Sequence, residues 1–194
     1  MSFEALFKFE QDLAEYTGAP YVVATDGCTH AIELCMRLDQ VQQTAFSAYT
    51  YLSIPMLMHQ LRINYILTSE EWQGEYQFHG TRIWDSARRL EHNMYRPGQL
   101  QCLSFGHTKP LQLGKGGAIL LDNKDEYEAL SRWRADGRDL RDTSWGEPGS
   151  EYYVGWHYCP TLELCKQGSE LLTTVTPISQ TAKYPDCRDI QIIS

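Results

Sequence analysis

The chain predicts an α/β fold: a three-layer α/β/α sandwich around a mainly parallel sheet. Three observations carry that expectation. Short apolar runs alternate along the chain with longer runs of helical periodicity, the pattern of strands joined by crossover helices. A strand, a small-residue turn and a helix follow directly on one another over residues 21 to 38. The 194 residues, 42% of them hydrophobic and 22% charged, suffice for one substantial domain with its own core.

In order along the chain, residues 3 to 17 place Leu6, Phe9, Leu13 and Tyr16 at helical spacing, with Glu4, Lys8, Gln11, Asp12 and Glu15 opposite. Gly18 is placed to end that helix. Tyr21 to Ala24 reads as a strand, and Ala31 to Leu38 as the next helix. Thr44 to Ala48 is a second strand, Tyr51 to Leu61 a helix broken near its start by Pro55, and Arg62 to Leu67 an alternating third strand. Arg82 to Trp84 is a brief strand ending on Asp85, and Gln101 to Phe105 and Ala118 to Asp122 are two more. Asp125 to Arg134 reads as a helix capped at Asn123 or Lys124, residues 135 to 160 as a long loop, and Thr161 to Leu172 as a last helix. Residues 1–172 form the expected body. Residues 173–194 form a Thr/Ser/Pro-rich tail, extended or partly ordered, in which Ile190, Ile192 and Ile193 are candidates for an edge strand.

The net charge of −8 and the absence of a Lys/Arg stripe exclude a nucleic-acid footprint. The six cysteines form no C-x-x-C pair and no zinc-spaced cluster; several sit in apolar runs as small hydrophobes. No stretch approaches the ~18 apolar residues of a membrane span, and the chain opens without a signal-peptide pattern. The expectation is a reduced, soluble, cytoplasmic protein that meets neither nucleic acid nor membrane.

The chemistry centres on Lys109. It lies in a loop between two strand-like runs, followed by Gly114-Lys115-Gly116-Gly117. An amine there suits covalent chemistry with a phosphorylated aldehyde cofactor. Asp85, at the C-terminal end of a short strand, lies where ligands of open α/β sheets gather and suits a protonated pyridine nitrogen. A helix N-cap ahead of Ser86-Ala87 is its other reading. Thr29, with the backbone of Gly27 and Cys28, forms a strand–turn–helix junction that favours an anion; a plain N-cap reading stays open. Ser104 offers a second hydroxyl, or a strand-end bond to backbone. Tyr51 offers a ring for stacking, or a core aromatic.

Six segments then occur in order: Phe9-Glu10 with Leu13-Ala14-Glu15-Tyr16-x-Gly18, Asp26-Gly27-Cys28-Thr29-His30-Ala31, Tyr49-Thr50-Tyr51, Asp85-Ser86-Ala87, Ser104-Phe105-x-x-x-Lys109 and Gly114-x-Gly116-Gly117-Ala118. Together they resemble the DegT/DnrJ/EryC1/StrS sugar aminotransferase family, enzymes of the aspartate-aminotransferase fold type that use pyridoxal 5'-phosphate (PLP). Val154-Gly155-Trp156-His157-Tyr158 is similar to a later segment of that family. The resemblance implies that Lys109 bonds the cofactor aldehyde and shuttles protons, Asp85 holds the ring nitrogen, and Tyr51 stacks on the ring. It gives the phosphate to Gly27, Cys28, Thr29 and Ser104. It further implies an amino-acid donor (glutamate or glutamine), a nucleotide-linked keto-sugar acceptor, and a homodimer with its sites at the interface.

Several positions depart from the family pattern. The chain is about half the usual length, and the small C-terminal domain is expected to be missing. Arg88 stands near the cofactor's phenolic oxygen where the family has Gln or His. His157 replaces an Asn that reaches the neighbouring subunit's phosphate, Cys159 replaces a basic residue, and Asp26 adds a carboxylate near the phosphate cup. Two alternatives stay open: a PLP-binding remnant or partner subunit with little turnover, and a Rossmann-like nucleotide-binding domain, the latter without a G-x-G-x-x-G after its first strand.

Overall fold

The structure, a computed structural model, describes residues 2–142, 146, 149–181 and 184–192. Helix α1 (Glu4–Thr17) buries Leu6, Phe9 and Leu13 and ends where Gly18 turns left-handed at φ 74°. Strand β1 (Tyr21–Thr25) leads into α2 (Cys28–Leu38), which starts three residues earlier than its apolar periodicity indicates. Strands β2 (Gln43–Ser47) and β3 (Asn64–Thr68) flank α3 (Ser53–Leu61). Pro55 does not break α3, because it lies in the first turn, where its missing N–H has no intrahelical partner to lose.

Beyond β3 the chain forms β4 (Tyr76–Gln77), β5 (Ile83–Asp85), β6 (Arg89–Leu90), β7 (Leu100–Ser104) and β8 (Gly117–Leu121). Helix α4 (Lys124–Trp133) is capped by Asn123, whose side chain accepts from the N–H groups of Asp125 and Glu126. Helix α5 (Leu162–Leu172) is capped by Thr161. Strand β9 (Ile178–Ser179) and a 3₁₀ turn (Cys187–Asp189) complete the described elements.

The main sheet has the order β1-β8-β7-β5-β4, and a single bridge from Ala45 to His79 joins it to the β2–β3 pair. The expected mainly parallel sheet is a mixed one. Strands β1, β7, β5, β2 and β3 share a direction, but β8 and β4 run against them, so only β5–β7 and β2–β3 are parallel neighbours. Residues 78 to 82 between β4 and β5 are too few to hold a crossover helix, so β5 returns as the antiparallel partner of β4. The loop from β7 to β8 carries no helix, and β8 returns antiparallel to β7.

Three layers are present. On one face Leu6, Phe9 and Leu13 of α1 and Cys165 of α5 pack against Val22, Leu103 and Leu120. On the other, Ile32 and Leu34 of α2, Leu57 of α3 and Leu130 of α4 pack against Val23, Cys102 and Ile119. Consecutive strand residues divide between the two cores, as pleating requires.

Two further sequence expectations fail. No helix follows Asp85; the chain turns and enters β6. The tail's edge strand is β9, which pairs with β6, while Ile190 and Ile192 lie in no strand and Ile193 lies outside the described residues.

Candidate active site

Strands β1, β5 and β7 end on the same edge of the sheet, and the chemistry gathers there, in the place expected for open α/β sheets. A cavity of about 540 Å³ opens at this edge. It is lined by eight of the nine sequence-predicted residues: Gly27, Cys28, Thr29, Tyr51, Asp85, Arg88, Ser104 and Lys109. The ninth, His157, stands apart, exposed and paired with Asp136 at 3.0 Å.

Asp85 forms the floor. It is 5% exposed, its Oδ1 accepts from the Ala87 N–H at 3.0 Å, and its Oδ2 accepts from the Tyr76 hydroxyl at 3.0 Å. Tyr76 is in turn 2.6 Å from Thr50 Oγ1. The bond to Ala87 retains one part of the capping expectation, but at a turn instead of a helix. Burial pushes the Asp85 carboxyl above its usual range, while Lys109 and the two hydrogen bonds pull it back. Burial and Asp85 together push the Cys28 thiol well up against the opposing charge of Lys109, so Cys28 is a neutral lining group.

The N-terminus of α2 faces the cavity without a side-chain cap at Gly27. Thr29 Oγ1 lies 2.7 Å from Ser53 Oγ, a hydroxyl that the sequence reading missed. Gly117 lets β8 approach this turn closely: a Cβ there would lie 2.5 Å from Cys28 N and 2.7 Å from Gly27 C. Asp26, expected to repel an anion, is compensated. Its carboxylate meets His30 Nδ1 at 2.5 Å and accepts from Lys115 Nζ at 3.2 Å. Burial raises its pKa, but these two partners outweigh that and hold it below the usual range. His30 stacks on Tyr158 at 3.8 Å, within a segment whose carbonyl at Tyr158 binds Asp26 N.

Lys109 follows β7, and its Nζ donates to the Tyr184 hydroxyl at 2.9 Å. Tyr184 comes from the tail and was unforeseen, as were Trp72 and Tyr76. Arg88 donates to the Thr108 carbonyl at 3.1 Å and to Gln180 Oε1 at 3.2 Å, which fixes the guanidinium at the mouth. Tyr51 is 60% exposed and meets Tyr184 edge-on at 6.2 Å, so it is a rim residue and not a core aromatic.

This set puts an uncapped helix N-terminus, a buried carboxylate and an amine on one cavity. Residues 3–53 match the sequence model of the DegT/DnrJ/EryC1/StrS aminotransferase family. That stretch carries the α2 turn and Tyr51 and stops before Asp85 and Lys109. A comparison with curated proteins finds no match. Among solved structures the fold is similar to 3-amino-5-hydroxybenzoic acid synthase (TM-score 0.68, 16% identity, 88% of this chain and 56% of that one). It is also similar to DesI, solved in the presence of its TDP-sugar product (0.69, 16%, 88% and 54%). A third is Spr1654 of Streptococcus pneumoniae, a putative sugar aminotransferase in its PLP form (0.64, 14%, 88% and 59%). The chain spans a little over half the length of these structures.

Proposed function

We propose that the chain is a PLP-dependent aminotransferase that moves an amino group from glutamate or glutamine to the keto group of a nucleotide-linked sugar. The single observation that carries this reading is that Lys109, buried Asp85 and the uncapped α2 turn line one cavity. The residues fit the cofactor. The α2 N-terminus and the hydroxyls of Thr29, Ser53 and Ser104 would hold its phosphate. The Asp85 carboxylate would hold its protonated ring nitrogen, and the Lys109 amine would hold its aldehyde. The volume lies in the range of about 300–1,000 Å³ that small-molecule sites occupy.

When bound, PLP supplies the electron sink for amino transfer. The protein's share is to bind, orient and move protons. Asp85, kept from water and oriented by Tyr76 and Ala87, keeps the ring nitrogen protonated. Lys109 Nζ would act as the base and acid that carries a proton in the cavity. Arg88 would offer the cofactor a charged donor at the mouth.

The reading includes a homodimer, in which His157 and the exposed Tyr152, Tyr153 and Val154 of one copy meet the other. It also includes the cytoplasm as the setting, which the six free thiols fit. Among the described residues no helix is long and apolar enough to cross a membrane.

The test is optical. Protein incubated with PLP should show a visible band in the yellow that borohydride removes and that Lys109→Ala lacks. Glutamate should then bleach the band. A protein that stays colourless sinks the proposal. A band that glutamate leaves untouched reduces it to cofactor binding without transfer.

A further inference from the structure

The tail does more than cover the molecule. Upstream of Tyr184 it is pinned by the β6–β9 pair, by Gly74 N–H on the Gln180 carbonyl (3.0 Å) and by Gln180 N–H on the Arg88 carbonyl (2.8 Å). Downstream it is pinned by Cys187 N–H on the Ala48 carbonyl (2.9 Å) and by Arg188 Nη1 on Ser69 Oγ (2.8 Å). Between these anchors Tyr184 hangs into the cavity. Its ring stacks on Trp72 at 6.0 Å and 25°, meets Tyr51 edge-on, and lies 5.4 Å beneath the Arg88 guanidinium. Trp72 is itself held, donating from Nε1 to the Tyr49 carbonyl at 2.7 Å. The hydroxyl is therefore a fixed acceptor, and Lys109 Nζ is its donor.

We propose that Tyr184 is a positioning residue for Lys109 and forms part of the wall of the site. This rests on the reading of Lys109 as the amine that meets the cofactor aldehyde. A lysine amine at the end of four rotatable bonds samples many positions, and one hydrogen bond to a rigid phenol selects among them. The cavity keeps its volume with Tyr184 in place, so the ring lines the site and does not plug it.

The experiment follows Lys109 without cofactor. The full chain is treated with formaldehyde and cyanoborohydride, and methylation is followed lysine by lysine by mass spectrometry. Lys8 and Lys166, both exposed and remote from the site, are internal references. Tyr184→Phe keeps the ring and removes the acceptor. It should raise the Lys109 rate roughly two- to tenfold over the references, the span expected for one net hydrogen bond, with an unchanged thermal midpoint. Tyr184→Ala should raise it at least as far. A Lys109 rate that Tyr184→Phe leaves unmoved overturns the proposal, and so does an equal rise at all three lysines. Adding PLP separates the two readings. A shifted Lys109 rate in a protein that forms no coloured band keeps the positioning role and discards the proposed reaction; a normal band with an unmoved rate does the reverse.

Discussion

At the scale of single residues, Asp85 sets function against stability. Its carboxyl holds a proton to higher pH in the folded chain than the ordinary value of about 3.9 in the unfolded one. The folded state then binds more protons in the window between the two values. Stability contributed by this group is present below about pH 4, falls as pH rises through the window, and stays low above it. Asp85→Asn removes the charge and keeps the shape. Thermal melts should show the variant gaining over the wild type at pH 7 and losing that gain below about pH 4. Its half-reaction with glutamate should slow by about a hundredfold or more, because nothing then holds the ring nitrogen protonated; an unchanged rate would refute the role given to Asp85. The residue's place in the site was legible from its position after a short apolar run. Its partner Tyr76 was not, because the hydrogen bond depends on the antiparallel register that sets Tyr76 opposite Asp85.

At the scale of elements, the α2 turn and β8 depend on each other. Gly27 and Gly116 form a bridge, and Gly117 lets the two backbones touch. The three nearest neighbours of a Cβ at Gly117 would all be backbone atoms, which cannot rotate away. Gly117→Ala should therefore cost about 1–3 kcal/mol in urea unfolding and, on the proposed reading, weaken PLP binding, since it displaces the N–H groups that would hold the phosphate. Equal stability and equal affinity would show that β8 does not support the turn. The helices were the most legible elements. The apolar stripe of α1 and its terminal glycine appear in the structure almost residue for residue. The two-residue strands β4, β6 and β9 left no periodic signal, because a strand that short shows no alternation to read.

At the scale of the whole molecule, a buried ion pair joins the layers. Arg134, at the end of α4 and 1% exposed, bonds Glu10 of α1 and donates to the Ala24 carbonyl of β1 at 2.6 Å. Glu10 in turn accepts from the Ala24 N–H at 2.8 Å. Arg134→Met would strand the Glu10 carboxylate in the interior, and urea unfolding should register a loss of about 3–5 kcal/mol. The paired replacement of Glu10 by Gln and Arg134 by Met should recover much of it. A loss below about 1 kcal/mol in the single variant would mean that water reaches the pair.

The sequence alone determined the α/β class and the order of the major elements, which are local matters of periodicity and turn chemistry. It also singled out eight residues that share one cavity. The tertiary structure decided the rest. It set β4 and β8 against the direction of their neighbours. It paired Asp26 with Lys115, 89 residues away, and so removed an expected repulsion. It also brought Tyr184 back across 75 residues to Lys109. No residue near either partner announces such a contact; it exists only because the strap is anchored on both sides of the cavity.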